Sequence, residues 1–430
     1  MLEGIIFGPT YTLKGTNKTQ QKLKNMWNSP SFLKHGERIF LPLVKLFSIG
    51  LLLSFVACSS ATKVQDARDA TAAAYMEEYK PPGLAVCVFK NGALDWSYAY
   101  GYADIEKKIP FASDIVMNVG SISKTITTTA VLQLWEKGKL DLDADVNGYL
   151  DFSVRNPRYP DTIISVRHLL THTSSIKDGM AYQESYQCGE AAISLSEWIS
   201  NYLSPDGRFY DEHDNFYDWS AGTDYSYSNV AYGLLGLIVE ELSGQSFEAY
   251  CQENIFSPLG MDNSSWFVSG IDASKQAKQY ALTTEENENI DFMAKLIKKK
   301  VDGFSELCDY SFYNYPDGLF KSSVQQLSYF MLAMMNDGNH QGNQILKAST
   351  VAEMFNLQVE GNDVQGLGWK RLDYGDFAFW GHSGRDPGVR THMYFNAENE
   401  LGIILFQNND EGSTIELLEK IYTLATANEN

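Results

Sequence analysis

The spacing of apolar and polar positions predicts strands at both ends of the chain and helices between them. Near the start, apolar strands at Leu84–Phe89 and Leu94–Tyr100 flank Asn91-Gly92, a pair that is typical of two-residue hairpin turns. Near the end, three strands and a closing helix are predicted at Asp376–Trp380, Arg390–Asn396, Leu401–Gln407 and Ile415–Ala425. Strands from both ends can join one sheet, so the pattern predicts an antiparallel sheet flanked by helices, an α+β fold.

The middle of the chain has the apolar spacing of helices rather than the alternation of strands. The clearest helices are predicted at Ser121–Lys137, Asn229–Leu242 and Ser323–Asn336. Residues from about 140 to 300 are predicted to form an inserted, mainly helical region with long loops. Within this insert, residues 178–223 are dense in aromatic side chains, and that composition predicts a packed lid.

Residues 1–57 have the composition of an export signal with an upstream extension. Basic residues precede the apolar stretch Phe40–Ala57, which ends directly before Cys58. Cleavage there would allow a lipid to be attached to Cys58, so we expect a lipoprotein-type signal, a linker at 58–65 and a folded domain at 66–428. A plain cleaved signal and a single anchoring helix are the alternatives. We expect an exported protein of the periplasm or outer cell envelope, anchored to the membrane through Cys58.

The acidic balance of the chain argues against nucleic acid as a partner. With 54 acidic and 34 basic residues the net charge is −20, whereas phosphate binding needs a basic face. The cysteines show no zinc spacing, and neither a metal nor a cofactor is predicted. Cys188 and Cys308 lie in loop-like segments and could form a disulfide. His168 and His172 lie four positions apart, and we interpret them as packed side chains rather than as a metal pair.

Ser121-Ile-Ser-Lys124 is the first of three motifs that predict chemistry. Ser-x-x-Lys occurs four times in the chain, but only at Ser121 does it open a helix after an apolar approach. Side chains three positions apart share one face of a helix, so the Lys124 ammonium can reach the Ser121 hydroxyl. The helix N-terminus also places partial positive charge where an oxyanion would develop. This segment therefore predicts a serine nucleophile with an adjacent base.

Two further motifs follow in order, Tyr227-Ser-Asn229 and His382-Ser-Gly384. Each pattern occurs once elsewhere, but Tyr394 lies within a predicted strand and His340 lies in a polar turn. Tyr227-Ser-Asn229 instead precedes a predicted helix, and His382-Ser-Gly384 follows an apolar strand. Tyr227 is therefore a second candidate base, and the candidate substrate-orienting residues are Asn229, His382, Ser383 and Gly384.

With these motifs in order, the chain resembles the serine β-lactamase and penicillin-binding superfamily, and within it the class C β-lactamase-like group. The resemblance covers about residues 65–428 and includes three longer strings, Val166–Ser174, Gly222–Gly236 and Gly381–Gly388. It implies the β-lactamase/transpeptidase-like fold and a serine hydrolase that works through an acyl-enzyme. The expected partner is a small acyl substrate, and cell-wall material is one candidate source of it.

The resemblance also implies a role for each motif residue. Ser121 would attack a carbonyl carbon, and Lys124 and Tyr227 would share the proton that it loses. Asn229 would orient Lys124 and the substrate. The oxyanion hole would be formed by the backbone N–H groups of Ser121 and Arg385.

Departures from the family pattern bear on the substrate. Dedicated β-lactamases of the superfamily have Lys-Thr-Gly where this chain has His382-Ser-Gly384, and a mostly neutral histidine binds a carboxylate poorly. We therefore expect an esterase or a D-peptidase, with Arg385 or Arg390 as candidate binders of a substrate carboxylate. The alternatives are an acyltransferase, a penicillin-binding receptor or D,D-carboxypeptidase, and a true β-lactamase.

Overall fold

The computed structural model describes residues 67–284, 291–374 and 377–427, except for the side chains at 291 and 377. The signal region, the linker and Cys58 lie outside the described residues, so their assignments stay predictions. Within the described ranges, no helix combines the length and the apolar composition that crossing a membrane requires.

A seven-stranded antiparallel sheet forms the centre of the fold and combines strands from both ends of the chain. Its strands are β1 (Gly83–Lys90), β2 (Ala93–Asp104), β3 (Ile109–Pro110), β4 (Lys370–Tyr374), β5 (Phe377–Asp386), β6 (Val389–Asn396) and β7 (Leu401–Gln407). Their order across the sheet is β4-β5-β6-β7-β1-β2-β3. The first strand is therefore hydrogen-bonded to the last, and the predicted single sheet is confirmed.

The hairpin of β1 and β2 has the predicted turn. Asn91 (φ 51°) and Gly92 (φ 74°) both adopt left-handed backbone conformations, as the favoured two-residue hairpin turn requires. Helices then cover both faces of the sheet. The main ones are α1 (67–79), α2 (Ser123–Glu136), α3 (Val166–Leu170), α4 (Met180–Glu184), α5 (Leu195–Leu203), α6 (Val230–Ser243), α7 (Phe247–Cys251), α8 (Val324–Met335), α9 (Ala348–Met354) and α10 (Thr414–Thr426).

Two apolar cores lie on opposite faces of the sheet, and alternate residues of β1 contribute to each of them. Leu84 and Val88 pack into the smaller core with α1 and α10. Ala85 and Cys87 pack into the larger core, which holds α2, α6 and α8. Cys87 is thus a core thiol, as its apolar strand predicts. The larger core fixes α2, and with it the start of the candidate site.

Two differences from the predicted elements lie at the end of the insert and at the third motif. The end of the insert holds a three-stranded sheet of Tyr280–Leu282, Ile297–Val301 and Phe304–Leu307 instead of helix. Ile297–Val301 alternates between half-buried and exposed side chains and carries three lysines, as an edge strand can. The strand predicted to end at Trp380 continues to Asp386, because the third motif itself pairs with β6.

The aromatic insert at 178–223 is packed against the rest of the domain, as predicted. Trp198 and Tyr202 are fully buried, and the Trp198 ring lies 5.5 Å from that of Tyr313. Cys188 within the insert forms a disulfide with Cys308, so the pairing that the sequence left open is made. The remaining short strand pairs are Val116–Asn118 with Lys321–Ser323, Gln187–Cys188 with Tyr310–Ser311, and Asn339–His340 with Asn343–Gln344.

Candidate active site

Ser121 lies in a single 3₁₀ turn, Gly120–Ile122, immediately before α2. The α-helix therefore begins two residues later than predicted. Gly120 has a left-handed backbone (φ 55°), and a Cβ atom there would lie 3.0 Å from the backbone nitrogen of Arg385. Asn118 holds the turn, since its side-chain oxygen accepts the Gly120 N–H at 2.9 Å. These contacts place the serine directly against β5.

Lys124 is fully buried and contacts Ser121. Its Nζ lies 3.3 Å from Ser121 Oγ and donates to Asn229 Oδ1 at 2.7 Å and to the Asp317 backbone carbonyl at 2.9 Å. The Asp317 carboxylate lies 3.6 Å away. Burial lowers the pKa of Lys124, whereas Asp317 and Asp178 oppose this shift. A lysine with a lowered pKa can act as a base at lower pH than an exposed one.

Tyr227 lies beside the Ser121–Lys124 pair. Lys124 Nζ is 4.8 Å from the centre of the Tyr227 ring, and the His172 ring lies 4.3 Å from it between centroids. Burial raises the pKa of Tyr227 well above 10, while its hydrogen bond with Ser121 opposes the rise. Tyr227 is therefore a protonated phenol at neutral pH, a state that suits a proton donor.

Asn229 is positioned by a carboxylate that lies outside the three motifs. Asp178 accepts hydrogen bonds from the backbone N–H groups of Asn229 and Val230 and from the Asn229 side-chain amide, each at 2.9 Å. These backbone groups open α6, so Asp178 caps this helix from a distant segment of the chain. The same contacts orient the Asn229 amide so that its oxygen accepts from Lys124.

One edge of β5 faces the nucleophile turn. The pairing of β5 with β4 ends at Gly381, while residues 382–386 pair only along their other edge, with β6, among the described strands. Gly384 permits the approach, since a Cβ atom there would lie 2.0 Å from the Val119 carbonyl oxygen. The strand thus brings the Arg385 N–H beside the turn that carries the Ser121 N–H, where a developing oxyanion could accept from both.

The side chains of the third motif have two different environments. His382 is buried with its ring 6.3 Å from that of Tyr227, between centroids. Burial, together with Lys370 and Lys124, lowers the pKa of His382 well below 6.5, so the imidazole is neutral. The Ser383 hydroxyl instead lies 2.9 Å from His392 Nδ1, on the neighbouring strand. Ser383 therefore borders the site with its backbone, while its side chain is engaged within the sheet.

Among the cations near the third motif, one was not predicted. Arg390, a candidate carboxylate binder, donates from Nη2 to the Asp410 backbone carbonyl at 2.7 Å, and the Arg385 side chain is exposed. Lys370, at the start of β4, extends its Nζ to 4.7 Å from the centre of the Tyr227 ring. Burial lowers the pKa of Lys370 to about 8. Lys370 and Lys124 thus both contact Tyr227.

Asp317 is a second acidic residue that the sequence motifs miss. Its carboxylate accepts from the Tyr182 hydroxyl at 3.0 Å and from the Asn314 amide at 2.8 Å, in addition to facing Lys124. Burial raises the pKa of Asp317 to about 6, and Lys124 opposes the rise. Because Tyr182 belongs to the aromatic insert, Asp317 connects the insert to Lys124.

A third carboxylate, Asp386, supports the nucleophile turn indirectly. It accepts from the Asn118 side chain at 3.0 Å and from the Tyr186 hydroxyl at 2.8 Å. Burial raises the pKa of Asp386 to about 7. Since Asn118 also accepts the Gly120 N–H, a continuous chain of hydrogen bonds runs from the insert to the turn of Ser121.

The two histidines considered as a metal pair are engaged with backbone groups. His168 Nδ1 accepts the Ser165 N–H at 3.3 Å, and His172 Nδ1 accepts the Ser228 N–H at 3.1 Å. Among the residues that the structure describes, no group of three or more His, Cys, Asp and Glu side chains could hold a metal ion.

The family comparison agrees with this arrangement. The Beta-lactamase family matches residues 68–427 of the chain. The chain therefore belongs to the Beta-lactamase family, whose members are serine hydrolases. The superfamily and the class of enzyme that the motifs predict are both confirmed.

Individual relatives are distant. Protein flp of Staphylococcus aureus (strain MRSA252) is 21% identical over 347 residues, which are 80% of this chain and 62% of that protein. Penicillin-binding protein 4* of Bacillus subtilis (strain 168) is 23% identical over 354 residues, which are 77% of this chain and 69% of that protein. The chain thus spans less than two thirds of the length of the staphylococcal relative.

A solved structure shows the same fold. D-amino acid amidase from Ochrobactrum anthropi SV3, complexed with L-phenylalanine amide, matches with a TM-score of 0.67 and 19% identity. The match covers 86% of this chain and 100% of that chain. At this identity the likeness concerns the fold, and it confirms the predicted β-lactamase/transpeptidase-like architecture.

Proposed function

We propose that this chain is an exported serine hydrolase that forms an acyl-enzyme at Ser121 on a small ester or on a D-amino-acid or peptide amide. The observation that carries the proposal is the contact of 3.3 Å between the Ser121 hydroxyl and the fully buried ammonium of Lys124. Because burial lowers the pKa of Lys124, more of it is neutral near pH 7 than of an exposed lysine. The neutral amine can take the serine proton.

In the proposed acylation, Lys124 takes the proton of Ser121 as Oγ bonds to the substrate carbonyl carbon. The backbone N–H groups of Ser121 and Arg385 bind the resulting oxyanion. Tyr227 gives its proton to the leaving group as that bond breaks, and the Lys124 ammonium then returns a proton to Tyr227. In the second half of the reaction, water activated by Lys124 and Tyr227 attacks the acyl-enzyme and releases the acyl group.

The remaining motif residues position these groups. Asn229, held by Asp178, accepts a hydrogen bond from Lys124 and fixes the direction of its ammonium. Gly384 and its neighbours present an unpaired strand edge to the cleft among the described strands, to which the backbone or amide of a substrate can hydrogen-bond. His382 is neutral, so in this proposal it contributes shape and not charge.

The first experiment compares the wild-type protein with Ser121→Ala. The substrates are p-nitrophenyl butyrate, a D-Ala-D-Ala peptide and nitrocefin, beside a fluorophosphonate probe of reactive serines. We expect ester or peptide turnover and labelling in the wild type, and a loss of at least about 1,000-fold in Ser121→Ala with unchanged circular dichroism. We expect slow nitrocefin hydrolysis, because the neutral His382 offers no charge to the antibiotic's carboxylate.

The matched control is Ser174→Ala, which alters the serine of another Ser-x-x-Lys sequence that lies outside the site. Its labelling should equal that of the wild type. Turnover that persists in Ser121→Ala would remove Ser121 from the mechanism, and fast serine-dependent hydrolysis of nitrocefin would make the β-lactamase alternative the better one.

The aromatic insert favours a second candidate, an acyltransferase that passes the acyl group to a hydroxyl or amine. Tyr182 of the insert contacts Asp317 beside Lys124, so the insert forms part of the wall around the acyl-enzyme. A wall of this kind can exclude water and leave an organic acceptor to react. Product analysis in the presence of short alcohols distinguishes the acyltransferase from the hydrolase. Finding hydrolysis products alone would count against the acyltransferase.

A further inference from the structure

We infer that the cavity around Lys321 is a binding site for a small zwitterion of the form of an apolar α-amino acid. The ligand carboxylate would accept from Lys321, its ammonium would lie toward Glu190, and its side chain would pack against aromatic rings. The residues that line the cavity include none of the three motifs. The inference therefore adds a second site and does not depend on the acyl-enzyme function proposed above.

The cavity has the size and the apolar wall of a small-molecule site. Its volume is about 230 Å³, and it lies between residues 189–191 of the insert, residues 266–269 and several residues of the segment 309–321. Pockets for drug-sized ligands begin at about 300 Å³, so a smaller molecule fits here. Four aromatic residues line the cavity, namely Trp266, Phe267, Phe312 and Tyr315. Such a wall binds an apolar side chain by burying its surface.

Lys321 brings a positive charge to this cavity without a counter-ion in contact. Its side chain is buried, and Nζ donates to the backbone carbonyls of Trp266 at 3.1 Å and Leu319 at 3.0 Å. An ammonium has three N–H donors, so a third is left in addition to these two. Within the described part of the chain, no carboxylate oxygen lies within 4.0 Å of Nζ. Burial lowers the pKa of Lys321 only to about 8, so the ammonium form dominates at pH 7. A ligand carboxylate would accept the third N–H and supply the missing negative charge.

Two carboxylates at the cavity distinguish a zwitterion from a simple anion. Glu190 and Asp309 both line the cavity, and both raise the pKa of Lys321 against the effect of burial. Asp309 is engaged, since it accepts from Gln276 at 2.9 Å and pairs with Lys278 at 3.4 Å. Glu190 is exposed, and the structure gives its carboxylate no partner among the described residues. A simple anion would be repelled by Glu190 and a simple cation by Lys321, whereas a zwitterion places each of its charges beside an opposite one.

Calorimetry with phenylalanine and two analogues that each lack one charge tests the class of ligand. 2-Phenylethylamine lacks the carboxylate, and 3-phenylpropionate lacks the ammonium. In the wild-type protein at pH 7 we expect at least one enantiomer of phenylalanine to bind about 10-fold or more tighter than the amine, because the contact with Lys321 is buried. It should bind about 3-fold or more tighter than 3-phenylpropionate, a smaller factor because Glu190 is exposed. Equal affinities for the three compounds, or no binding of either enantiomer, would overturn the inference.

Two variants test whether the ligand lies in this cavity. Glu190→Gln should weaken the binding of phenylalanine about 3-fold or more and strengthen that of 3-phenylpropionate, because an attraction and a repulsion are lost. Glu184→Gln, at an exposed position of the same insert outside the cavity, is the matched control and should change neither affinity. Lys321→Met should weaken the binding of phenylalanine and not that of 2-phenylethylamine, with the exposed Lys139→Met as its control. If phenylalanine binds Glu190→Gln as tightly as the wild type, the ligand lies elsewhere, the candidate active site included, and the inference is wrong. This result decides even if Lys321→Met does not fold.

Discussion

The Lys124 ammonium is subject to two opposing effects, and their balance sets the pH at which it can act as a base. Burial favours the neutral amine, whereas the carboxylates of Asp317 and Asp178 favour the charged form. The pKa of Asp317 is shifted in turn, because burial raises it to about 6 while Lys124 opposes the rise. The protonation state of Lys124 therefore depends on Asp317, for which the structure gives no contact with Ser121 among the described residues.

Removing the Asp317 charge should move the pH dependence in one direction. In Asp317→Asn the ammonium of Lys124 loses its nearest carboxylate, so its pKa falls further and the neutral base is present at lower pH. We expect the acid limb of kcat/KM for p-nitrophenyl butyrate to shift to lower pH. Asp302→Asn, in an exposed turn, is the control and should leave the limb in place. A limb that stays or moves to higher pH would show that Asp317 does not stabilise the charged lysine.

At the scale of elements, the site depends on where helices begin. α2 starts just after Ser121, and α6 starts just after Asn229, so both candidate catalytic segments lie at helix N-termini. The Asn229 side chain does not cap α6 itself, and Asp178 accepts the N–H groups of that first turn instead. One carboxylate thus stabilises a helix and orients the residue that holds Lys124.

Asp178→Ala should therefore affect stability and activity together. We expect the free energy of unfolding to fall by about 2 kcal/mol or more, because a cap is lost and several donors lose their acceptor. We also expect kcat to fall about 10-fold or more as Asn229 loses its orientation. Urea denaturation and p-nitrophenyl butyrate turnover measure the two effects.

The control for this prediction is Ser246→Ala, which removes the cap of α7, where the Ser246 hydroxyl accepts the Ala249 N–H at 3.2 Å. It should cost about 1 kcal/mol and leave kcat unchanged. If Asp178→Ala behaves in the same way, Asp178 is a helix cap without an influence on Lys124.

Elements with a local signal could be predicted from the sequence, and elements that depend on distant partners could not. Asn91-Gly92 determines its hairpin through the conformations that these two residues allow, and the apolar repeat of α6 is visible without its neighbours. The segment Lys370–Tyr374 is short and polar, and it is a strand only because β5 pairs with it. The strand at Ile297–Val301 escaped prediction for the same reason.

The same distinction applies to the site. Ser121 and Lys124 share a helix start, so their contact follows from spacing, and Tyr227 and Asn229 follow from a motif. Asp178 lies in a loop and Asp317 ends the 3₁₀ turn Tyr315–Asp317. Both are single acidic residues, and only the fold brings them to Lys124. An isolated residue of this kind has no pattern in the sequence. A search for it needs the coordinates of the groups that it contacts.

At the scale of the whole molecule, the disulfide and the predicted signal are consistent with the same compartment. The bond between Cys188 and Cys308 joins positions 120 residues apart and attaches the aromatic insert to the segment before Tyr310–Ser311. Disulfides persist in oxidising compartments outside the cytosol, where an export signal would deliver the chain. The insert also contributes Tyr182 and Tyr186 to the site, so its attachment bears on the geometry around Lys124 and Ser121.

The anchor at Cys58 is the prediction that tests this export route. Cys58 lies outside the described residues, and its assignment rests on the apolar stretch Phe40–Ala57 that precedes it. In a bacterial host that processes lipoproteins, we expect the full chain to incorporate labelled palmitate and to enter the detergent phase of a Triton X-114 extract. Cys58→Ala should lose both properties, whereas Cys87→Ala, which alters a buried core thiol, should keep them. A wild-type chain without label would favour a plain cleaved signal, and label that persists in Cys58→Ala would place the lipid on another residue. Because two acyl chains bind a bilayer far more tightly than one, retention in the membrane fraction also reports how completely the anchor is formed.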